Sequence, residues 1–83
     1  MAKTIFEDRE FKVVKGYDFV VVRKDSPYSF HSHFKSLTGA RGLIRLFYKR
    51  VQPFKEYFNT AMKRITTEVE FFSFKAESKR QRD

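Results

Sequence analysis

The stretch Phe11-Lys12-Val13-Val14-Lys15-Gly16-Tyr17-Asp18-Phe19-Val20-Val21-Val22 decides the fold class of this chain. Two β-branched and aromatic runs, 11–14 and 19–22, flank a short polar connection that contains a glycine. Runs of this kind suit a pleated strand. A glycine free to take positive φ joins two of them as an antiparallel hairpin. Alternation then sets Phe11 and Val13 on one face, with Phe19 and Val21 on the matching face of the second strand.

Working outward, Ile5-Phe6 adds a third short run, and the charged cluster at 7–10 reads as the turn between. On the other side, Asp25-Ser26-Pro27 ends the sheet, because proline has no ladder donor and pushes Ser26 into an extended conformation. Ser26-Pro27 also matches a minimal phosphorylation motif, although a turn explains it more simply. Residues 28–35 read as a connector carrying Tyr28, Phe30, His31, His33 and Phe34.

Helical spacing begins at Ser36 or Thr38, both good N-caps. At about 100° per residue, Leu37, Ala40, Leu43, Ile44, Phe47 and Val51 share one face, and Arg41, Arg45, Lys49 and Gln52 form an adjoining stripe. Val51-Gln52-Pro53 interrupts the pattern. A second helix restarts after Pro53 with an apolar arc of Phe54, Tyr57, Phe58, Ala61, Met62 and Ile65. Two helices with a three-residue break resemble a helix-turn-helix in outline, but proline stands where that turn favours glycine. Thr67 and Glu70 have the spacing of a capping box, which predicts a third helix from about Glu68. The competing reading is a strand through 69–74, where Phe71, Phe72 and Phe74 crowd together. The cap and the helix-favouring residues 75–81 favour the helix.

Strands first and helices after imply an α+β domain, 1–83. It has an antiparallel hairpin or three-stranded sheet within 3–24 and two or three helices within 36–80 packed on one face. Eighty-three residues sit near the lower limit of independent folding. Eleven Phe and four Tyr supply bulk for a core, and 41% hydrophobic content argues against disorder. With no cysteine, disulfides and thiolate metal sites are excluded, and a reducing compartment fits. The longest apolar run, 19–22, is far short of the roughly 20 residues that cross a bilayer. A soluble cytoplasmic protein is the expectation.

The net charge of +8 is concentrated. Residues 36–65 hold seven Lys or Arg against the single acid Glu56, whereas the flanks are close to balanced. A field of one sign on one region resists compaction and points to a partner. Arg41, Arg45 and Lys49 stand one helical turn apart, about 6 Å along the axis, a spacing suited to successive phosphates. Arginine grips phosphate with paired hydrogen bonds, and Tyr48 beside the stripe offers a stacking surface. The plain alternative is a solvated face, but such faces mix both signs, and acids are nearly missing here. The candidate binding residues are Arg41, Arg45, Lys49, Arg50, Lys55 and Lys63, with Tyr48 for stacking.

Other signals are weaker. Thr38-Gly39-Ala40-Arg41-Gly42 resembles a phosphate cradle but lacks the Lys-Ser/Thr of a Walker loop. Gly42 is better explained by close packing of the helix on the sheet. His31-Ser32-His33 would point both imidazoles to one side of an extended segment, but no third ligand is evident, so no metal is expected. Lys79-Arg80-Gln81-Arg82 sits beside balancing acids, and no nucleophile elbow or paired catalytic acids are present. The expectation is a non-enzymatic binding protein without a cofactor. Its partner is DNA or RNA backbone, or alternatively an acidic protein surface engaged by a small regulator or inhibitor of phage or mobile-element type. A homodimer through Phe71, Phe72 and Phe74 is a further expectation, since one helix cannot bury all three.

Overall fold

The computed structural model describes residues 3–24 and 30–82, so the turn and phosphorylation motif expected at 25–27 lie outside the described residues, as do the side chains of 79–82. Four strands come first: β1 (Lys3–Glu7), β2 (Phe11–Lys15), β3 (Phe19–Arg23) and β4 (His31–Phe34). They form one antiparallel sheet in the order β1-β2-β3-β4. Three helices follow: α1 (Leu37–Lys49), α2 (Glu56–Ile65) and α3 (Glu68–Arg82). The architecture is α+β.

The β2–β3 hairpin has the register its alternation implies, with Val13 opposite Val21 and Lys15 opposite Phe19. Its turn closes through Gly16 N–H donating to the Asp18 carbonyl (3.0 Å), without a glycine at positive φ. The β1–β2 turn is held by Asp8, whose carboxylate accepts from the Glu10 and Phe11 N–H groups at 3.1 and 2.8 Å. β1 carries a bulge between Thr4 and Phe6, a common device for blunting an exposed sheet edge.

The fourth strand corrects the expectation of a hairpin or three strands. His31–Phe34, read as connector, pairs with β3 and alternates, with Ser32 and Phe34 buried and both histidines exposed. Its buried hydroxyl is satisfied: Ser32 Oγ donates to the Ala61 carbonyl at 2.8 Å, linking β4 to α2. One side of the sheet contributes Phe11, Val13, Val21 and Phe34 to the core. There they meet Ala40, Leu43 and Ile44 of α1, Ala61, Met62 and Ile65 of α2, and Phe74 of α3. Truncating such a fully buried side chain, Leu43 for example, costs about 2–5 kcal/mol. On the opposite side Lys12, Val14, Val20 and Val22 are half-buried and His31 and His33 exposed.

α1 starts where its cap predicts, with Ser36 Oγ accepting from Gly39 N–H at 3.0 Å. It ends in a Schellman motif: Arg50 N–H donates to the Phe47 carbonyl and Val51 N–H to the Leu46 carbonyl, at 3.0 and 3.1 Å. Arg50 takes the left-handed conformation (φ 56°) that usually falls to glycine. The link to α2 is therefore six residues, 50–55, longer than the expected three-residue break. α2 begins at Glu56, after an extended Lys55 cap, so Phe54 lies outside the helix and is 82% exposed instead of joining the apolar arc.

The glycines of α1 also differ from expectation. A Cβ on Gly39 would meet Phe34 Cδ1 of β4 at 3.2 Å, whereas one on Gly42 would meet Phe58 of α2 at an ordinary 3.9 Å. The tight helix–sheet approach is at Gly39. α3 opens with the capping box foreseen: Glu70 N–H donates to Thr67 Oγ1 (3.2 Å), and Thr67 N–H to Glu70 Oε1 (2.8 Å).

Arg23 ties the sheet to α3. Its guanidinium makes two bonds of 2.6 Å to the Glu70 carboxylate, one of 3.1 Å to the Ile65 carbonyl, and stacks over Phe47 at 5.0 Å. These hydrogen bonds raise the Arg23 pKa and hold the Glu70 carboxyl below its ordinary value, against the opposing effect of burial. Of the three C-terminal phenylalanines, Phe74 is core and lies edge-on to Phe47 at 5.4 Å, Phe71 is half-buried, and Phe72 is exposed. A seam between copies through Phe74 is thereby corrected, because its ring is already committed inside the protomer.

Candidate nucleic-acid interface

α1 lies with its Ala40, Leu43 and Ile44 side on the sheet, so residues on the far side of its circumference face solvent. Arg41, Arg45 and Lys49 occupy that outer ridge, and all three are exposed. One flank of α1 meets β1 and the β1–β2 turn. There the Arg41 guanidinium lies over the Phe6 ring at 4.8 Å, a contact that leaves its charge unneutralised.

Tyr48 stands on the same flank, 44% exposed, with its ring edge-on to Phe11 at 6.0 Å and Phe47 at 5.7 Å. Partial burial raises its phenol pKa above the ordinary value, reinforced by a hydrogen bond to the Asp8 carboxylate. The other flank carries Gly42 against Phe58 of α2. The ridge is thus braced on both sides while its three cations project between.

The charge pattern separates these cations from several others. Arg23 is paired with Glu70, Lys24 with Glu7 at 2.7 Å, and Arg50 with Glu77 at 3.0 Å. Among the described residues, no carboxylate lies within ion-pair distance of Arg41, Arg45 or Lys49.

The six basic candidates do not form one surface. Arg50 turns toward α3, where Nη2 donates to Ser73 Oγ at 2.7 Å and the guanidinium packs over Phe74 at 5.3 Å. Lys63 belongs to the groove between α2 and α3, its ammonium 5.4 Å from the Phe71 ring centroid. Lys55 is exposed at the start of α2 and contributes no side-chain cap. Arg41, Arg45, Lys49 and Tyr48 are the ones brought together. Sequence reasoning missed Phe6 as the support for Arg41, a contact that only the packing of α1 beside β1 creates.

The glycine-rich start of α1 makes a poor phosphate cradle. Ser36 takes the Gly39 N–H, and the Phe34 ring fills the space a ligand oxygen would need beside Gly39. The imidazoles of His31 and His33 do share a side, with ring centroids 5.3 Å apart. Asp18, distant in sequence, comes within 3.0 Å of His33 Nδ1. Among the described residues no three metal-capable His, Cys, Asp or Glu side chains gather. Beside β4 a groove of about 430 Å³ is lined by His33, Tyr57, Thr60 and Arg64, and Tyr57 closes part of it by donating to the His33 carbonyl (3.1 Å). Among the described residues no helix is long and apolar enough to cross a membrane.

No protein-family model matches the chain, and neither curated proteins nor solved structures match it.

Proposed function

We propose that this chain is a non-enzymatic nucleic-acid-binding or accessory protein that grips a phosphate backbone through Arg41, Arg45 and Lys49. The observation that carries the reading is the ridge itself: three outward cations at one-turn spacing with no carboxylate within ion-pair distance among the described residues. Leaving three like charges unpaired on one helix face works against folding, and a polyanion supplies the missing counter-charge. Contacts of this kind go to phosphates and position the protein without reading sequence. Tyr48 at the flank adds a surface for an unpaired base.

The test is fluorescence anisotropy with labelled 20-nucleotide single strands and duplexes of unrelated sequence. Binding should be similar across sequences and should be lost when Arg41, Arg45 and Lys49 are all changed to alanine. Exchange of Lys63 for alanine should leave it nearly unchanged. Absence of binding at 50 mM salt, together with a protein partner that co-purifies after nuclease treatment and depends on the same three residues, would transfer the ridge to an acidic protein surface.

A further inference from the structure

α3 is apolar on two sides. One side is spent inside the protomer: Phe74 is core, Phe71 is half-buried, and Glu70 holds Arg23. The other side presents Val69, Phe72 and Ala76 at i, i+3 and i+7, with Val69 80% and Phe72 65% exposed. Three residues in that spacing make a seam one helix wide. Along its edge run Glu68 and Lys75, both exposed and without an ion-pair partner among the described residues.

We infer that α3 is a self-association surface, on which two copies of this chain pack antiparallel about a two-fold axis. The register follows from the charges. If Glu68 of one copy faces Lys75 of the other, the axis passes between positions 71 and 72, and the second pair forms by symmetry. In antiparallel helix packing the same edge of each helix meets its mate, so one edge carrying both signs is self-complementary. With a rise of about 1.5 Å per residue, this register brings the two Phe72 rings together beside the axis, offset by about one residue. Each Val69 then lies about 3 Å along the axis from the Ala76 of the other copy, within reach of its small side chain.

Charge also selects a second copy over other occupants. Residues 66–83 carry as many acids as bases, while 36–65 hold the excess of positive charge. α3 is therefore the face on which two such basic chains approach with least repulsion. On an anionic lipid surface Glu68 would meet like charge, whereas the Lys75 of a second copy pairs with it. The α2–α3 groove of about 580 Å³ beside Phe72, floored by Phe71 and walled by Lys63 and Lys75, gives the incoming aromatic ring room to settle. The inference is independent of the α1 ridge.

The experiment is sedimentation equilibrium of the full chain over about 1 µM to 1 mM. Wild type should show a monomer–dimer equilibrium. Phe72→Glu should weaken it at least tenfold while far-UV circular dichroism stays unchanged, since this ring lies outside the core. The charge register has its own readout: Glu68→Lys and Lys75→Glu should each weaken the dimer, and the double exchange should restore it. A monomer throughout the range, a dimer indifferent to Phe72→Glu, or a double exchange no better than the singles would each overturn the inference. Monomeric protein whose Phe72 instead mediates binding to anionic vesicles would overturn it too.

Discussion

Removing the Glu70 carboxylate should cost this domain a large part of its stability. The fork between Arg23 and Glu70 spans two bonds of 2.6 Å and closes a loop of 47 residues between sheet and α3. The two side chains are 16% and 30% exposed, so the pair is partly desolvated. Breaking a fully buried pair by removing one partner costs about 3–5 kcal/mol. Here Arg23 would retain the Ile65 carbonyl and a more distant Glu10 carboxylate at 4.0 Å, which softens the loss. The capping bond from Thr67 N–H would also disappear in an alanine variant, at about 0.5–1 kcal/mol. Together these give about 2–3 kcal/mol for Glu70→Ala, against a total of roughly 4–12 kcal/mol for a chain of this size.

Urea unfolding followed by circular dichroism reads this directly. With a slope of about 1 kcal/mol per molar, the midpoint should fall by about 2–3 M. A cycle with Arg23→Ala and the double variant should give a coupling of about 1–2 kcal/mol. The pH dependence carries a sign. The Glu70 carboxyl is depressed below 4.5 in the folded state. Its contribution is therefore complete above the unfolded value and is lost as pH falls through the lower folded value. The stability gap between wild type and Glu70→Gln should accordingly be full at pH 6 and shrink in strong acid. A coupling under about 0.5 kcal/mol, or a gap that ignores pH, would refute the fork as the tie between sheet and α3.

Further tests follow from single positions. Gly42→Ala should stabilise by about 0.5–1 kcal/mol through helix propensity, because its new methyl finds ordinary contact, whereas Gly39→Ala should destabilise by about 1–2 kcal/mol as it drives into the buried Phe34 ring; thermal melts of both read the opposite signs. At Arg50, the glycine variant should be more stable than the alanine variant by about 1 kcal/mol, since only glycine takes φ 56° without strain. Equal stabilities in denaturant would dismiss the backbone argument there. Ultraviolet titration should show a tyrosine component ionising above the ordinary value near 10, and Tyr48→Phe should remove that component.

What was legible in the sequence was local. The β2–β3 hairpin, the Ser36 cap and the Thr67–Glu70 box are each written within a few residues, and each forms as its spacing implies. β4 was illegible because two histidines and a serine have no strand signature. It exists through pairing with β3 and through the Ser32 bond to α2, both set by tertiary packing. Phe54 reads as part of an apolar arc only if the helix starts right after Pro53, and the extended Lys55 cap moves that start. The same limit applies to the site. Spacing identifies Arg41, Arg45 and Lys49, but nothing near Arg50 in sequence announces that Glu77 and Ser73 will hold it.

The central claim is that the α1 ridge is an unpaired polyanion contact, and its most direct measurement is the salt dependence of duplex DNA affinity. Three phosphate contacts give a log–log slope of about −2.7, so affinity should fall roughly 40-fold between 50 and 200 mM salt. Arg45→Ala, at the middle of the ridge, should make that slope shallower by about one unit. A wild-type slope near zero, or an Arg45→Ala slope equal to that of wild type, would contradict the account.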